Sequence, residues 1–278
     1  MIQYDEKTGI FHLRNEQMSY VLQVMRGRYL MHRYWGRALR TFRDSRPSQG
    51  IDRAFSPQPA AYENERTFSL DVLPQEYPAY GHTDYRIPAY EVRLEDGTTT
   101  TELFYKSHEI QQGKPALTGL PASYAGDAEA ETLLIQLEDS QGKLAVCLSY
   151  TVFAEANVIA RSVRIENSGT EALDLLNAAS FALDLPDHDY DRINLWGRPC
   201  PGTPAGARAA HARHRGEREP PWGKLTSDVA VPCPDAQRCR RDTGRCIWLC
   251  SHLEWRILVE DRSRAVRHDT RRGRHQSV

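Results

Sequence analysis

The stretch LAVCLSYTV, residues 144–152, decides the fold class of this chain. Its large apolar side chains fall at every second position, namely Leu144, Val146, Leu148, Tyr150 and Val152. Because successive side chains of a β-strand point to opposite faces, a period of two predicts a strand with one buried face. The stretch therefore predicts a strand of an antiparallel sheet that packs against a core.

The same period of two recurs along the first 195 residues. Further strands are predicted at residues 10–13, 19–24, 29–34, 90–94 and 159–165. Asp96-Gly97 predicts a hairpin turn from residues 90–94 into a strand at 98–105, and Asn167-Ser168-Gly169 predicts a second hairpin. Since no long stretch follows the helical period, we expect an all-β fold, a large antiparallel β-sandwich.

An irregular segment, TFSLDVLPQEYPAYGHTDYRIPAY at residues 67–90, interrupts these strands. Its prolines, Pro74, Pro78 and Pro88, exclude a continuous helix and a central strand. Its five aromatic rings are too many for a solvated loop, which favours a segment pinned against the β core. A second interpretation is a rim that presents Tyr, Asp and Arg groups to a sugar-like ligand. Composition does not choose between the two.

Composition and charge argue against several classes of protein. The chain has 278 residues, a net charge of −1 and a pI near 6.8, which give no reason to expect nucleic acid or an acidic membrane surface as a partner. No apolar run approaches the ~20 residues that span a bilayer. The first residues, MIQYDEKTG, lack the basic-then-apolar order of a secretory signal. We therefore expect a cytoplasmic protein.

Two further stretches predict loops. Residues 51–65, IDRAFSPQPAAYENE, contain two prolines and little periodicity. Residues 183–194, LDLPDHDYDRIN, hold four acidic residues and predict a solvated loop. A calcium site is conceivable there because oxygen ligands are dense, but their spacing is not that of an EF-hand loop.

Several single residues invite a functional interpretation and are explained more simply. Trp35 could stack on a sugar, yet an aromatic residue beside a sandwich strand is more often part of the core. Cys147 alternates with apolar neighbours and predicts an inert, unpaired thiol. The histidines of the β region, His12, His32, His82 and His108, show no metal-ligand spacing.

Six pieces of the sequence together resemble a known family. They are FHLRNEQMSYVLQV (11–24), YWGR (34–37), IDRAFSPQP (51–59), GKPALTGLPASY (113–124), EAETLLIQL (129–137) and NVIARSVRIENSG (157–169), and residues 67–90 join them. In this order they are similar to the N-terminal domain of microbial α-galactosidases of glycoside hydrolase family 36. The resemblance covers residues 2 to 195, and so many pieces in order make it specific.

The resemblance implies an activity, but not for this chain alone. Family members are retaining enzymes that hydrolyse terminal α-galactosyl residues, as in raffinose-type oligosaccharides, and need two carboxyl groups at the scissile bond. In the family this pair lies on a (β/α)₈ barrel that follows the sandwich. We therefore expect an incomplete sandwich with no catalytic residue, metal or cofactor of its own.

The resemblance also implies two sugar contacts, at Asp52 in IDRAFSP and Arg66 in ERTFSLD. Family members use the N-terminal domain to close the galactose pocket, often that of a neighbouring subunit, within a tetramer-like homo-oligomer. A carboxylate accepts from sugar hydroxyls and a guanidinium donates to them. From the residues alone, each could equally be half of a surface ion pair. The rival hypothesis for the whole chain is a non-catalytic carbohydrate-binding or assembly module.

The chain changes character near Leu195. Five of the six cysteines follow that position, and sixteen arginines, one lysine and nine acidic residues give residues 196–278 a net charge of +8. Neither period continues beyond Trp196. We therefore divide the chain into a β-sandwich domain at 1–195 and a basic, Arg/Pro/Cys-rich tail at 196–278.

Several interpretations of the tail compete. It could be a basic disordered segment, or Cys239, Cys246, Cys250 and His252 could hold a metal, although their spacing is not that of structural zinc sites. Nucleic-acid binding lacks a motif or aromatic platform. The favoured interpretation is a reading-frame change. With suitable synonymous codons, residues 219–227 and 264–271 read one base later give SRRGASSH and GQFDTTR, in the order in which the family carries such runs.

Overall fold

In the computed structural model, residues 1–43, 58–117, 122–179 and 182–184 are described in full. Six later strands, from residue 190 onward, are described as backbone. The strands of the described residues, in chain order, are β1 (Ile2–Asp5), β2 (Ile10–Arg14), β3 (Met18–Met25), β4 (Tyr29–Arg37), β5 (Tyr90–Arg93), β6 (Leu103–Gln112), β7 (Ala130–Asp139), β8 (Leu144–Phe153), β9 (Ile159–Asn167), β10 (Asp174–Ala178), β11 (Tyr190–Leu195), β12 (Ala205–Ala210), β13 (Ser227–Pro232), β14 (Ile247–Cys250), β15 (Ile257–Asp261) and β16 (Arg267–His268). The predicted strands at 10–13, 19–24, 29–34, 144–152 and 159–165 are confirmed.

The chain forms two compact units. The first comprises Met1–Asp184 with Trp255–Arg272, and the second comprises Leu185–Glu254 with Gly273–Val278. In the second unit the strands form one antiparallel sheet in the order β12-β11-β13-β14. The sequence-based boundary at residue 195 stays a prediction.

The described strands of the first unit form three sheets. Strands β1 to β4 form an antiparallel meander, and β6 to β9 form a second one in which β15 joins β9 in parallel. A third sheet has the order β16-β10-β5. The prediction of an all-β sandwich is confirmed; its strands pair antiparallel as predicted, except that β15 and β16 join β9 and β10 in parallel.

The core of the first unit combines the inward faces of these sheets. Phe11, Leu13 and Leu22 from the first meander are fully buried in one cluster with side chains of the second, such as Leu133 and Leu148. Burying one such side chain contributes about 1.5–3 kcal/mol. Facing sheets that share one apolar core define the sandwich.

Both predicted hairpins are wrong in their strand pairing. The turn at Asp96-Gly97 exists, since Leu94 N donates to Thr98 O at 2.8 Å. Strand β5 nevertheless pairs with β10, while β6 starts only at Leu103 and pairs with β7. The intervening Thr101 donates to the Tyr90 hydroxyl at 2.9 Å instead of extending a ladder. The chain crosses between sheets at this turn, a step that local alternation does not encode.

The second predicted hairpin fails for the same reason. The amides of Ser168 and Gly169 donate to Lys143 O at 3.0 and 3.2 Å, which closes the end of the β8–β9 pair. Strand β9 pairs with β8, whereas β10 pairs with β5. The turn signal was correct, but it marks a crossover between sheets.

The two predicted loops have different outcomes. In residues 183–194 the loop prediction is wrong from Tyr190 onward, because Tyr190–Leu195 forms β11 between β12 and β13. Of residues 51–65, positions 51–57 lie outside the described residues, and Ala60–Tyr62 forms one short 3-10 helix. Among the described residues no helix is long and apolar enough to cross a membrane.

Candidate functional site

The two residues predicted to contact a sugar fall differently in the structure. Asp52 lies outside the described residues, so its role stays a prediction. Arg66 lies in a turn between the 3-10 helix Ala60–Tyr62 and Phe68, and its side chain is exposed. A guanidinium carries its N–H donors in a fixed fork, a geometry that suits vicinal sugar hydroxyls.

Consecutive main-chain hydrogen bonds shape the turn that carries Arg66. Tyr62 N donates to Pro59 O at 2.8 Å, Glu65 N to Tyr62 O at 2.8 Å, and Phe68 N to Glu65 O at 2.9 Å. Each bond closes a three-residue step of the chain. The backbone around Arg66 is therefore defined by its own amides and carbonyls.

A small aromatic and aliphatic cluster ties this turn to the first meander. Tyr29 and Met31 of β4 are buried with Phe68, Leu70 and Leu73, and Tyr62 packs against them. The rings of Tyr62 and Phe68, which flank Arg66, lie 4.7 Å apart. Burial, reinforced by the nearby Glu102, raises the pKa of Tyr29, whose hydroxyl donates to that carboxylate at 2.9 Å. The turn that carries Arg66 is thus packed against a buried cluster of β4 and the irregular segment.

A buried ion pair pins residues 67–90 to the core. The fully buried Glu76 accepts at Oε1 from the hydroxyls of Tyr20 and Tyr150, each at 2.8 Å. Arg161 of β9 lies 2.8 Å from the same oxygen and donates to Glu76 O at 3.2 Å. Strands β3, β8 and β9 therefore all bind the same side chain of the irregular segment through hydrogen bonds or an ion pair. This confirms the interpretation of a segment pinned against the core.

The ionisation of this network follows from its burial. Burial raises the pKa of Glu76, while Arg161 and the two tyrosine hydroxyls oppose the rise. Burial lowers the pKa of His32 to about 4, and the charge of Arg161 adds to the effect. His32 is thus neutral at neutral pH, with Nδ1 3.7 Å from Glu76 Oε2. The arrangement is an internal charge pair, with the Arg161 and Glu76 side chains 7% and 0% exposed.

A second ion pair holds the end of the segment. Asp84, 1% exposed, accepts from Gln75 and Arg86, each at 2.7 Å. Arg86 also donates to Leu73 O at 2.7 Å and to Asp184 at 2.9 Å. Burial tends to lower the pKa of Arg86, but the carboxylates of Asp84 and Asp184 together outweigh this and raise it. Since these groups are engaged within the fold, they do not favour the interpretation of a sugar-binding rim.

The simpler interpretations of Trp35 and Cys147 are supported. Trp35 packs against the core and meets the Tyr20 ring edge-on at 6.0 Å, which confirms its assignment to the core. Cys147 is 8% exposed, and burial raises the pKa of its thiol, as expected of an unreactive cysteine.

Metal binding finds no support in the part of the chain that the structure describes. There, no three His, Cys, Asp or Glu side chains are placed to hold an ion. The alternative at Cys239, Cys246, Cys250 and His252 lies outside the described side chains.

Comparison with known proteins places the chain in a family. The model of the glycosyl hydrolase family 36 N-terminal domain matches residues 28–198, which is more than half of the chain. The chain belongs to glycosyl hydrolase family 36. The resemblance found in the sequence is thereby confirmed.

Two similar relatives are α-galactosidases. The chain is 53% identical over 201 residues to α-galactosidase AgaA of Geobacillus stearothermophilus, a match that covers 71% of this chain and 27% of the relative. It is 39% identical over 218 residues to α-galactosidase Mel36A of Lactobacillus acidophilus, covering 78% and 29%. The chain therefore spans less than a third of the length of these family 36 relatives.

Solved family 36 structures share the fold. The crystal structure of AgaA superposes with a TM-score of 0.68 at 52% identity and covers 72% of this chain and 28% of AgaA. A variant of AgaA in complex with raffinose superposes with a TM-score of 0.70, covering 80% and 31%. The β-sandwich is thus the shared part of these proteins.

Proposed function

We propose that this chain provides the N-terminal β-sandwich of a retaining α-galactosidase, and that Asp52 and Arg66 help to shape its galactose pocket. The observation that carries the proposal is the 53% identity to an α-galactosidase over most of the sandwich. The reaction is hydrolysis of terminal α-galactosides such as raffinose-type oligosaccharides. A relative solved with raffinose is consistent with this substrate class.

The sandwich supplies binding groups and leaves the chemistry to another part of the enzyme. Retention of configuration needs a nucleophilic carboxylate and an acid/base carboxyl group about 5–5.5 Å apart. The most deeply buried carboxylates of the described residues, Glu76 and Asp84, are bound to Arg161 and Arg86 instead. Both groups serve the fold. The chain by itself is inactive, and the catalytic pair belongs to the barrel that completes a family enzyme.

The exposed Arg66 is suited to a pocket formed together with other groups. Its turn is flanked by the packed rings of Tyr62 and Phe68, so the exposed Arg66 stands on an ordered backbone. A pocket closed by such a residue can be shared between subunits. A homo-oligomer is therefore part of the proposal.

The test compares the chain with a hybrid enzyme. The hybrid joins residues 1–184 of this chain to the remaining part of AgaA. We expect the purified chain to release no nitrophenol from a nitrophenyl α-galactoside, and the hybrid to hydrolyse it with the α-anomer as first product. Turnover by the chain alone would contradict the division of roles. A folded but inactive hybrid, together with binding of raffinose by the chain alone, would favour a carbohydrate-binding module.

A further inference from the structure

Arg26 occupies an unusual backbone conformation at the tip of the β3–β4 hairpin. Its φ is 54° and that of Gly27 is 68°, while Arg28 N donates to Met25 O at 3.0 Å. Two central residues with positive φ are typical of a type I′ turn, where Asn and Gly are favoured. An arginine there adopts a conformation that is uncommon for residues with a Cβ. This backbone conformation is unfavourable in free energy for an arginine, which points to a role for its side chain.

The Arg26 side chain lies against the turn that carries Arg66. Its guanidinium lies 4.8 Å from the Tyr62 ring centre and 4.5 Å from the Phe68 ring centre. It also forms an ion pair with Glu65, the residue directly before Arg66. Arg26 therefore contacts residues on both sides of Arg66.

The chemistry of these contacts suits an arginine better than a lysine. A planar guanidinium stacks on two aromatic rings while its N–H groups remain available to a carboxylate, which a lysine ammonium does not reproduce. Since Arg26 and Glu65 are 36% and 41% exposed, the ion pair is screened and adds little to global stability. Its effect is on the local order of the turn.

We propose that Arg26 is a positioning residue that holds the Arg66 turn in its sugar-binding conformation. This inference rests on the proposed function, because it takes Arg66 as a contact to the galactoside. Arg26 itself acts through its contacts with Tyr62, Phe68 and Glu65 and does not need to touch the sugar. The hairpin tip thereby becomes a support for the pocket.

The first test measures local order in the chain itself. Arg26→Asn keeps a residue that tolerates positive φ, so the hairpin is retained. The substitution removes the contacts of the guanidinium with Tyr62, Phe68 and Glu65, which together are called the clamp. Hydrogen exchange at the amides of Glu65 and Phe68 should accelerate about threefold to tenfold, and that of β3 and β4 amides should stay unchanged. Arg26→Lys should give an intermediate rate. The matched control is Arg28→Gln, since Arg28 stacks on Phe104 at 5.0 Å and not on the Arg66 turn.

The second test measures substrate binding in the hybrid enzyme. Arg26→Asn should raise KM for an α-galactoside about threefold to tenfold with kcat almost unchanged, because a displaced Arg66 weakens binding rather than chemistry. In an Arg66→Ala background the Arg26 substitution should have no further effect.

Two results would overturn the inference, and they are distinguishable. Unchanged exchange and unchanged KM in Arg26→Asn, with a raised KM in Arg66→Ala, would leave the proposed sugar contact intact and remove Arg26 from it. Accelerated exchange in Arg26→Asn with a silent Arg66→Ala would show a clamp without a role in binding. In that case the proposed contact of Arg66 fails as well.

Discussion

Glu76 and Arg161 form an ion pair with an N–O distance of 2.8 Å inside the sandwich, where the two side chains are 0% and 7% exposed. The pair joins an irregular proline-rich segment to strand β9, 85 residues later in the chain. A carboxylate and a guanidinium without water around them are strongly dependent on each other. We therefore expect the fold to be destabilised when either residue is replaced and the other charge stays buried without its partner.

We predict that Arg161→Met destabilises the fold by about 3–5 kcal/mol, because it leaves the Glu76 carboxylate buried without its counter-charge. Glu76→Gln should have a comparable cost, since Arg161 is then the unpaired charge. The double variant should lose clearly less than the sum of the two, as expected for coupled groups. Urea unfolding of the whole chain measures all three. Strict additivity would show that the pair contributes no coupling.

The buried His32 predicts a specific pH dependence. Its pKa in the folded protein is lowered from 6.5 to about 4 by burial and by Arg161. Between these values the unfolded chain binds a proton that the folded chain does not, so stability falls as pH falls from 6.5 to 4. Over this pH interval the free energy of unfolding falls by about 3 kcal/mol because of His32, since each pH unit between the two pKa values contributes about 1.4 kcal/mol. The raised pKa of Glu76 acts in the opposite direction.

The contribution of His32 is isolated by comparison with His32→Gln. The difference in unfolding free energy between parent and variant should decrease by about 3 kcal/mol as pH is lowered from 7.5 to 4. Glu76, His12 and His108 are present in both proteins, so most of their effect cancels in the difference. A difference that is independent of pH would mean that His32 titrates normally in the folded state.

Asp52→Ala tests the second proposed sugar contact in the hybrid enzyme. If the carboxylate accepts a hydrogen bond from a galactose hydroxyl, its loss should cost about 1.5–3 kcal/mol, which is roughly tenfold or more in kcat/KM. The melting temperature should hardly change, because the sequence predicts a loop at residues 51–65 and a loop carboxylate adds little to folding. Asp52→Asn keeps the shape and one acceptor and should lose less. Unchanged kcat/KM with a lowered melting temperature would make Asp52 a structural residue.

The proposed change of reading frame near residue 195 is tested on the DNA. The family model matches as far as residue 198, close to the point where the composition changes. We expect the frame one base later to encode family-like sequence from this point and to continue into strand/helix repeats of a barrel. Stop codons soon afterwards in every frame would favour a separate module with a basic tail.

The amino-acid pattern was sufficient for the class of fold and for most of the early strands. In LAVCLSYTV and the other alternating stretches of this chain, the period of two indicates which side chains face the core. This is a local property that each strand carries by itself. It was not sufficient for strand partners. Turns at Asp96-Gly97 and Asn167–Gly169 were recognised, but both connect different sheets, because pairing is decided by which edges meet in space.

The same distinction applies to the candidate site. Arg66 was proposed from its sequence context and stays a prediction, whereas nothing in the sequence was a reason to consider Arg26, since it contacts Glu65 across 39 residues and no local motif joins them. Likewise the charges at Glu76, Asp84 and Arg86 stood out in residues 67–90, but sequence could not say whether they face solvent or the interior. Folding brings Tyr20, Tyr150 and Arg161 around Glu76 from three different strands. Burial of that carboxylate is a consequence of long-range packing, and it makes this charge a structural link.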